Sequence, residues 1–265
     1  MTIKYLVTSG CSFSDNHGMR WPHYLADSMG VQLYNRGQGS SGNHWIAKSS
    51  IYQTQLLLDQ GVSPEEILVV VMWSGIDRKD CFIDAHDTVN YSKLINDPNG
   101  HPNPVNFLDN EPNVRNKHSL PNGDGYLSGS AVCTFSNENI LKFKKDLILK
   151  YFSPQALAIE SYENFLRLQW FCKSVGVKLI NQTFMDIMHY PSLPVMTKDH
   201  FRNITPLFNM LDFNDWIFWN NTQGIYEYCK DNKLSYYEDN VHPSEQSHKH
   251  YVDNFLFSKI NRIVA

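Results

Sequence analysis

Continuous apolar runs alternate with amphipathic stretches along most of the chain. Residues 4–8 and 67–73 are typical of buried strands, because their apolar side chains follow one another with little polar alternation. Residues 21–29 and 44–58 instead carry apolar side chains at helical spacing. This alternation of strand and helix predicts a parallel sheet with helices on both faces.

Weaker patterns extend this alternation towards the end of the chain. Further short strands are predicted at residues 31–34, 177–181 and 234–237, of which the last is the fifth. Amphipathic stretches predict further helices at residues 140–151, 156–175, 205–219, 222–231 and 244–263. The prediction is a single α/β domain over residues 1–265, built on a central parallel sheet of about five strands.

One stretch departs from this pattern. Residues 80–130 lack apolar periodicity and are rich in Asn, Asp, Pro, Gly and His. A loop of this length is uncommon inside a compact domain and is often functional. We therefore expect an irregular insertion at residues 80–135, after the third strand, and expect it to carry substrate specificity.

Composition narrows the functional classes. The chain has 265 residues and a net charge of −4, without the clustered Lys and Arg that nucleic-acid binding requires. No apolar run is long enough to span a membrane and no signal peptide is visible, so we expect a cytoplasmic protein. Five Cys occur without a Cys-x-x-Cys pair, and His86, His101 and His118 fit no compact ligand motif. We expect neither a metal nor a cofactor.

Two short segments at opposite ends of the chain carry the chemistry. Ser12 lies in a Gly-Cys-Ser turn directly after the first predicted strand, and the segment Asp239-Asn-Val-His242 lies near the end. A serine hydroxyl needs a base to become a nucleophile, and a carboxylate can orient that base. Ser12, His242 and Asp239 thus predict a catalytic triad.

The intermediate of such a reaction also needs hydrogen-bond donors for its oxyanion. The backbone N–H groups of Ser12 and of Gly39 or Ser40 are the predicted donors, because these residues follow the first and second strands. Carboxyl ends of parallel strands meet at one edge of a sheet, which predicts that all these segments converge there.

Together these segments resemble the SGNH hydrolases, also called GDSL-like esterases and lipases. Gly-Cys-Ser12 is similar to the family's Gly-Asp-Ser, residues 35–43 resemble its second block, and Asp239-x-x-His242-Pro-Ser resembles its last block. The resemblance implies a flavodoxin-like three-layer sandwich and hydrolysis of small acyl esters, such as O-acetyl groups on carbohydrates. Trp73 and Arg78, on either side of the third block, resemble phage-encoded and marine bacterial members.

Two positions depart from the family pattern. Cys11 replaces an Asp that is not part of the triad, and Ile76 stands where the family has an oxyanion-hole Asn. Loss of one such donor lowers turnover by roughly 100- to 1000-fold. Asn43, Arg78 or a further backbone N–H are the predicted substitutes.

Three functions remain open from the sequence. The first is ester hydrolysis through an acyl-serine on Ser12, with a small-molecule or glycan ester as the partner. The second is a weakly active or non-catalytic binding module, virion-associated if a phage encodes it, which Ile76 favours. The third is acyl transfer to a sugar or small metabolite.

Overall fold

The computed structural model describes residues 3–16, 18–39, 41–76, 78–83, 125–130, 154–188 and 205–264. The strands of this part of the chain are β1 (Tyr5–Gly10), β2 (Gln32–Asn35), β3 (Ile67–Trp73), β4 (Arg78–Ile83), β5 (Gly125–Ser130), β6 (Lys178–Thr183) and β7 (Trp216–Ile217). The helices are α1 (Trp21–Met29), α2 (Asn43–Asp59), α3 (Pro154–Val175), α4 (Thr205–Phe208), α5 (Ile225–Asp231), α6 (Glu245–Tyr251) and α7 (Phe257–Val264). One π-helical turn, Val252–Leu256, connects α6 to α7.

The core of the fold is a five-stranded parallel sheet in the order β2-β1-β3-β6-β7. All seven residues of β3 are buried, which explains their uninterrupted apolar character. Helices α2 and α3 pack against each other, and α1 packs against α6. The sheet is thus flanked by helices, and the predicted α/β fold with a flavodoxin-like sandwich is confirmed.

The strand order places a crevice beside β1. The chain moves from β1 outwards to β2 and then returns past β1 to β3, so the direction of the connections reverses between β1 and β3. In open parallel sheets this switch point, at the carboxyl ends of the strands, is where ligands bind. Ser12 follows β1 directly, and Ser74 follows β3.

The fifth strand of the sheet is not the predicted one. Trp216 and Ile217 form the edge strand by pairing with Asn181 and Gln182 of β6. Residues 234–237 stay outside the sheet, because their backbone groups bond within their own loop. There, Tyr237 N–H donates to His242 O at 2.8 Å, and Ser244 N–H donates to Ser235 O at 3.0 Å.

The long helix predicted at residues 205–219 is also wrong. Only Thr205–Phe208 is α-helical, and a 3-10 turn, Phe213–Asp215, precedes β7. The side chain of Asp212 accepts the backbone N–H of Asn214 at 3.1 Å, which starts a new turn and ends helical continuity. The predicted helix at residues 140–151 lies outside the described residues.

Two described strands, β4 and β5, lie at or within the bounds of the expected insertion at residues 80–135. Strands β4 and β5 pair antiparallel along their whole length, with Arg78 opposite Ser130 and Ile83 opposite Gly125. The residues between them lie outside the described part of the chain. The ion pair from Lys79 to Glu160 of α3 attaches β4 to the main body of the fold.

Among the described helices, none has both the length and the apolar character needed to cross a membrane.

Candidate active site

Ser12, His242 and Asp239 form a continuous chain of hydrogen bonds. The Oγ of Ser12 lies 2.7 Å from Nε2 of His242, and Nδ1 of His242 lies 2.5 Å from Oδ2 of Asp239. With its ring proton on Nδ1, the imidazole donates to the carboxylate and accepts the serine hydroxyl on Nε2. This arrangement orients the imidazole towards the serine hydroxyl, as general-base activation of a serine requires.

The carboxylate of Asp239 is held in its ionised form. Its partial burial acts to raise the pKa, but the backbone N–H groups of His242 and Val241 and the His242 ring outweigh this. Together they lower the pKa of Asp239 to about 2. Each of the two N–H groups donates to Oδ1 at 2.9 Å, leaving Oδ2 for the imidazole.

Residues 235–244, here named the base loop, form a compact turn that carries both groups. The bonds from Tyr237 to His242 and from Ser244 to Ser235 close it, and Asn240 adopts a left-handed conformation at its tip with φ 55°. Asn tolerates this conformation better than most residues. The loop ends at Ser244, whose Oγ accepts Ser247 N–H and caps α6.

Residues 11–16, here named the nucleophile turn, follow β1 and carry Ser12. Ser14 N–H donates to Cys11 O at 2.8 Å, and Ser14 Oγ accepts the indole N–H of Trp21 at 2.8 Å. Gly10 has no room for a side chain, since a Cβ there would lie 2.2 Å from Ser14 Oγ. The turn is therefore tightly packed immediately around the predicted nucleophile.

The buried side chain of Asn35 links the nucleophile turn to the loop after β2. Its Oδ1 accepts the hydroxyl of Thr8 at 3.0 Å and the N–H of Gly37 at 2.9 Å. Its Nδ2 donates to Ser14 O at 2.7 Å and to Asn16 Oδ1 at 2.9 Å. One amide thus holds three segments of the chain in a fixed arrangement.

An aromatic wall lies beside the imidazole. The ring centroid of Phe13 is 5.0 Å from that of His242 and 5.1 Å from that of Phe184. The guanidinium of Arg78 lies 5.9 Å from the centre of the Phe184 ring. The wall packs against one side of the imidazole, and Arg78 places a positive charge at its far end.

The predicted oxyanion donors come from different segments of the chain. Gly39 lies in the loop after β2, where a Cβ would stand 3.5 Å from Asp15 Oδ2, and Ser40 lies outside the described residues. Ile76 is buried in the core and offers no side-chain donor. Arg78 donates from Nη1 to Ser41 O at 3.1 Å, on the loop that carries Gly39.

The side chain of Asn43 is not placed to act as the predicted oxyanion donor. Its side chain is 1% exposed, and its Nδ2 lies within 3.4 Å of Ser74 O, Gly75 O and Ser161 Oγ. Its Oδ1 accepts Ser74 N–H at 2.9 Å. The amide hydrogens point to the loop after β3 and to Ser161 of α3, so Asn43 positions that loop and is not free to bind an oxyanion.

A second histidine, His248, is completely buried on α6. Burial lowers the pKa of its imidazole well below the usual value, and the nearby Arg20, His242 and His23 lower it further. The ring is therefore neutral. A neutral His248 adds no positive charge beside His242.

Several of these residues escaped the sequence analysis. Phe13, Phe184 and His248 look like ordinary core residues, and only the position of Phe13 beside Ser12 offered a signal. In the described part of the chain, no group of three or more His, Cys, Asp or Glu side chains is arranged to hold a metal ion.

The chain matches one family model and is similar to a solved structure at low identity. A family model described as "Family of unknown function (DUF6071)" matches residues 11–117. No curated protein matches the chain. A crystal structure of a member of the lipolytic protein G-D-S-L family from Veillonella parvula DSM 2008 aligns with a TM-score of 0.42 and 10% identity, covering 95% of this chain and 98% of that chain.

Proposed function

We propose that this protein is a serine hydrolase that cleaves small acyl esters through an acyl-serine intermediate. The observation that carries the proposal is the hydrogen-bonded chain from Ser12 through His242 to Asp239. Ser12 follows β1 beside the switch point of the sheet, where ligands bind in open parallel folds, and the hydrogen bonds bring the base and the orienting carboxylate to it. The resemblance of their sequence segments to the SGNH hydrolases agrees with this chemistry.

The mechanism follows from the roles of the three groups. Ser12 Oγ attacks the ester carbonyl carbon while His242 Nε2 takes the hydroxyl proton, and Asp239 stabilises the resulting imidazolium. Collapse of the tetrahedral intermediate expels the alcohol, which receives the proton from His242. A water molecule then attacks the acyl-serine by the same steps in reverse, releasing the carboxylic acid and restoring the Ser12 hydroxyl.

In this proposal the oxyanion is bound mainly by backbone. The N–H groups of Ser12 and Gly39 are the first two donors, and Arg78 supplies a third from a guanidinium that already bonds to the adjacent loop. The substrates proposed by resemblance are O-acetyl groups on carbohydrates.

The experiment that tests the proposal is labelling with a fluorophosphonate, followed by intact-protein mass measurement. We expect one adduct on Ser12 in the wild type and none in Ser12→Ala, with labelling slowed at least about 100-fold in His242→Ala. Ser258→Ala is the matched control, because its hydroxyl bonds only to Phe255 O among the described contacts of that serine and lies on α7. An adduct on any other serine would contradict the assignment.

A binding module is the second candidate function, and the environment of Ile76 favours it. That position has no side-chain donor, and Asn43 cannot replace it, so the oxyanion site is poorer than in the family it resembles. Folded wild-type protein that gives no adduct would support this second function. Glycan binding without ester cleavage would then be the property to measure.

A further inference from the structure

Strand β4 holds the start of α2 through one buried carboxylate. The backbone N–H of Gly42 donates to Asp80 Oδ1 at 2.8 Å, and the N–H of Trp45 donates to Asp80 Oδ2 at 2.7 Å. Asp80 is only 6% exposed. Hydrogen bonds from N–H groups to a buried carboxylate are among the stronger ones in proteins, and a helix N-terminus favours negative charge.

The Asp80 carboxylate lies so close to the start of α2 that the residue facing it has no room for a side chain. Gly42 is the N-cap of α2, and a Cβ there would lie 2.8 Å from Asp80 Oδ2 and 3.0 Å from its Cγ. Real Cβ atoms essentially never lie within 3.0 Å of another heavy atom in this way, so a side chain at this position would force the carboxylate to shift. Asp80 takes the place of the side-chain cap that Gly42 lacks.

A second side chain of β4 binds the loop between β2 and α2. Arg78 lies two residues before Asp80, on the same face of the strand, and donates to Ser41 O at 3.1 Å. The cation therefore binds a carbonyl oxygen while the carboxylate binds the next N–H group along the chain. Lys79 anchors the strand behind them through its ion pair with Glu160.

The end of this loop nearer to β2 is hydrogen-bonded to β1 of the sheet. Gln38 N–H donates to Gly10 O at 3.0 Å, and Ser41 N–H donates to Gln38 O at 3.2 Å. Gly39 lies between these fixed points, so its backbone N–H has little freedom once Ser41 and Gly42 are in place. A change at Asp80 would be transmitted to Gly39 over only a few bonds.

From these contacts we propose that Asp80 is a positioning residue for the oxyanion donor on Gly39, acting together with Arg78 as a two-point clamp. The inference rests on the proposed hydrolase function. Strand β4, which opens the insertion after the third strand of the sheet, is then a working part of the active site. Its role is to fix the geometry in which the loop meets the developing negative charge.

The test compares rate and extent of fluorophosphonate labelling at Ser12. We expect the labelling rate constant to fall about 10-fold in Asp80→Asn and about 100-fold in Asp80→Ala, because misplacing a reacting or stabilising group by about 1 Å costs this much. Asparagine keeps one acceptor oxygen, which explains the partial rescue. The labelled fraction at completion stays near that of the wild type, since the folded protein remains intact.

The control separates positioning from stability. Asp215→Asn makes the same chemical change in a carboxylate that pairs with Lys178, near the start of β6 and away from the crevice. We expect it to lower the melting temperature without changing the labelling rate constant. A merely structural role of Asp80 would give the same result as this control, a lower melting temperature with an unchanged rate constant, and would overturn the inference.

A second variant approaches the contact from the opposite side. Gly42→Ala places a methyl group against the Asp80 carboxylate and should slow labelling about 10-fold even if the Asp80 variants do not fold. Wild-type rates in Gly42→Ala would contradict the clamp. Absence of Ser12 labelling in the wild type would instead remove the proposed function on which the inference rests.

Discussion

The two halves of the candidate site are built in opposite ways. The nucleophile turn is buried, and side chains from other segments hold it, chiefly Asn35 and Trp21. The base loop lies at the surface, where the side chains of Asp239 and His242 are 48% and 29% exposed. Backbone hydrogen bonds within the loop itself keep it in shape.

This difference indicates which residues of the site should affect folding stability and which should affect reactivity. A buried polar group that loses its partner is costly, because no water replaces the lost bond. An exposed group that loses its partner recovers most of that energy from solvent. Substitutions of the buried side chains that hold the nucleophile turn, such as Asn35, should therefore change folding most, and substitutions of Asp239 and His242 in the base loop should change reactivity most.

The largest expected effect is on reactivity, in the base loop. Asp239→Asn should lower esterase turnover roughly 1000- to 10,000-fold, because the amide no longer holds the proton of His242 on Nδ1. The unfolding free energy should fall by only about 1 kcal/mol, since solvent screens this exposed group. Turnover of a chromogenic acetyl ester and urea unfolding of the same samples measure both. A loss of several kcal/mol would contradict the proposed separation.

The converse effect is expected at Asn35. Asn35→Ala leaves the Gly37 N–H, the Thr8 hydroxyl and Ser14 O without their partner in a buried region. We expect the unfolding free energy to fall by about 3 kcal/mol, since each such group costs roughly 1–3 kcal/mol and relaxation recovers part of it.

A matched asparagine tests whether burial is the cause. Asn232 at the end of α5 also donates from its side chain, to Tyr228 O at 2.8 Å, but in a partly exposed position. Asn232→Ala should cost less than about 1 kcal/mol. Equal losses in the two variants, measured by urea unfolding, would show that the bonds of Asn35 are not special.

The same contrast explains how far sequence reasoning could reach. The elements with strong apolar patterns were predicted with their bounds, namely α1 (Trp21–Met29) and β3 (Ile67–Trp73). Their own side chains determine burial, so the pattern is visible locally. Strand β7 was missed because its two residues are defined by pairing with β6, a partner distant in sequence.

The candidate site shows the same limit. The motif segments brought forward Ser12, His242 and Asp239, and the structure places these three within hydrogen-bonding distance; their catalytic roles stay predictions. Nothing in the sequence around Asp80 indicated its contact with the start of α2, because that contact is with Gly42, which lies 38 residues earlier in the chain. Contacts of this kind follow from the fold and not from the residues beside them.

The smallest expected effect is the pH dependence of the base loop. Hydrogen bonds lower the pKa of Asp239 to about 2 in the folded protein, below the value of about 4 for an unperturbed Asp. A group whose pKa is lower in the folded state stabilises it above the unfolded pKa and loses that contribution as pH falls through the folded pKa. The stability difference between wild type and Asp239→Asn should therefore be constant above about pH 5 and shrink between about pH 4 and pH 2.

Carbon-13 NMR titration of the Asp239 carboxyl measures this directly. The Asp239 midpoint should lie near pH 2, because two N–H donors and the imidazole favour the ionised carboxylate. A midpoint near pH 4 would mean that solvent, and not the loop, sets its charge. The base loop would then lack the internal order on which the comparison with the nucleophile turn depends, and His242 would have no fixed partner to orient it.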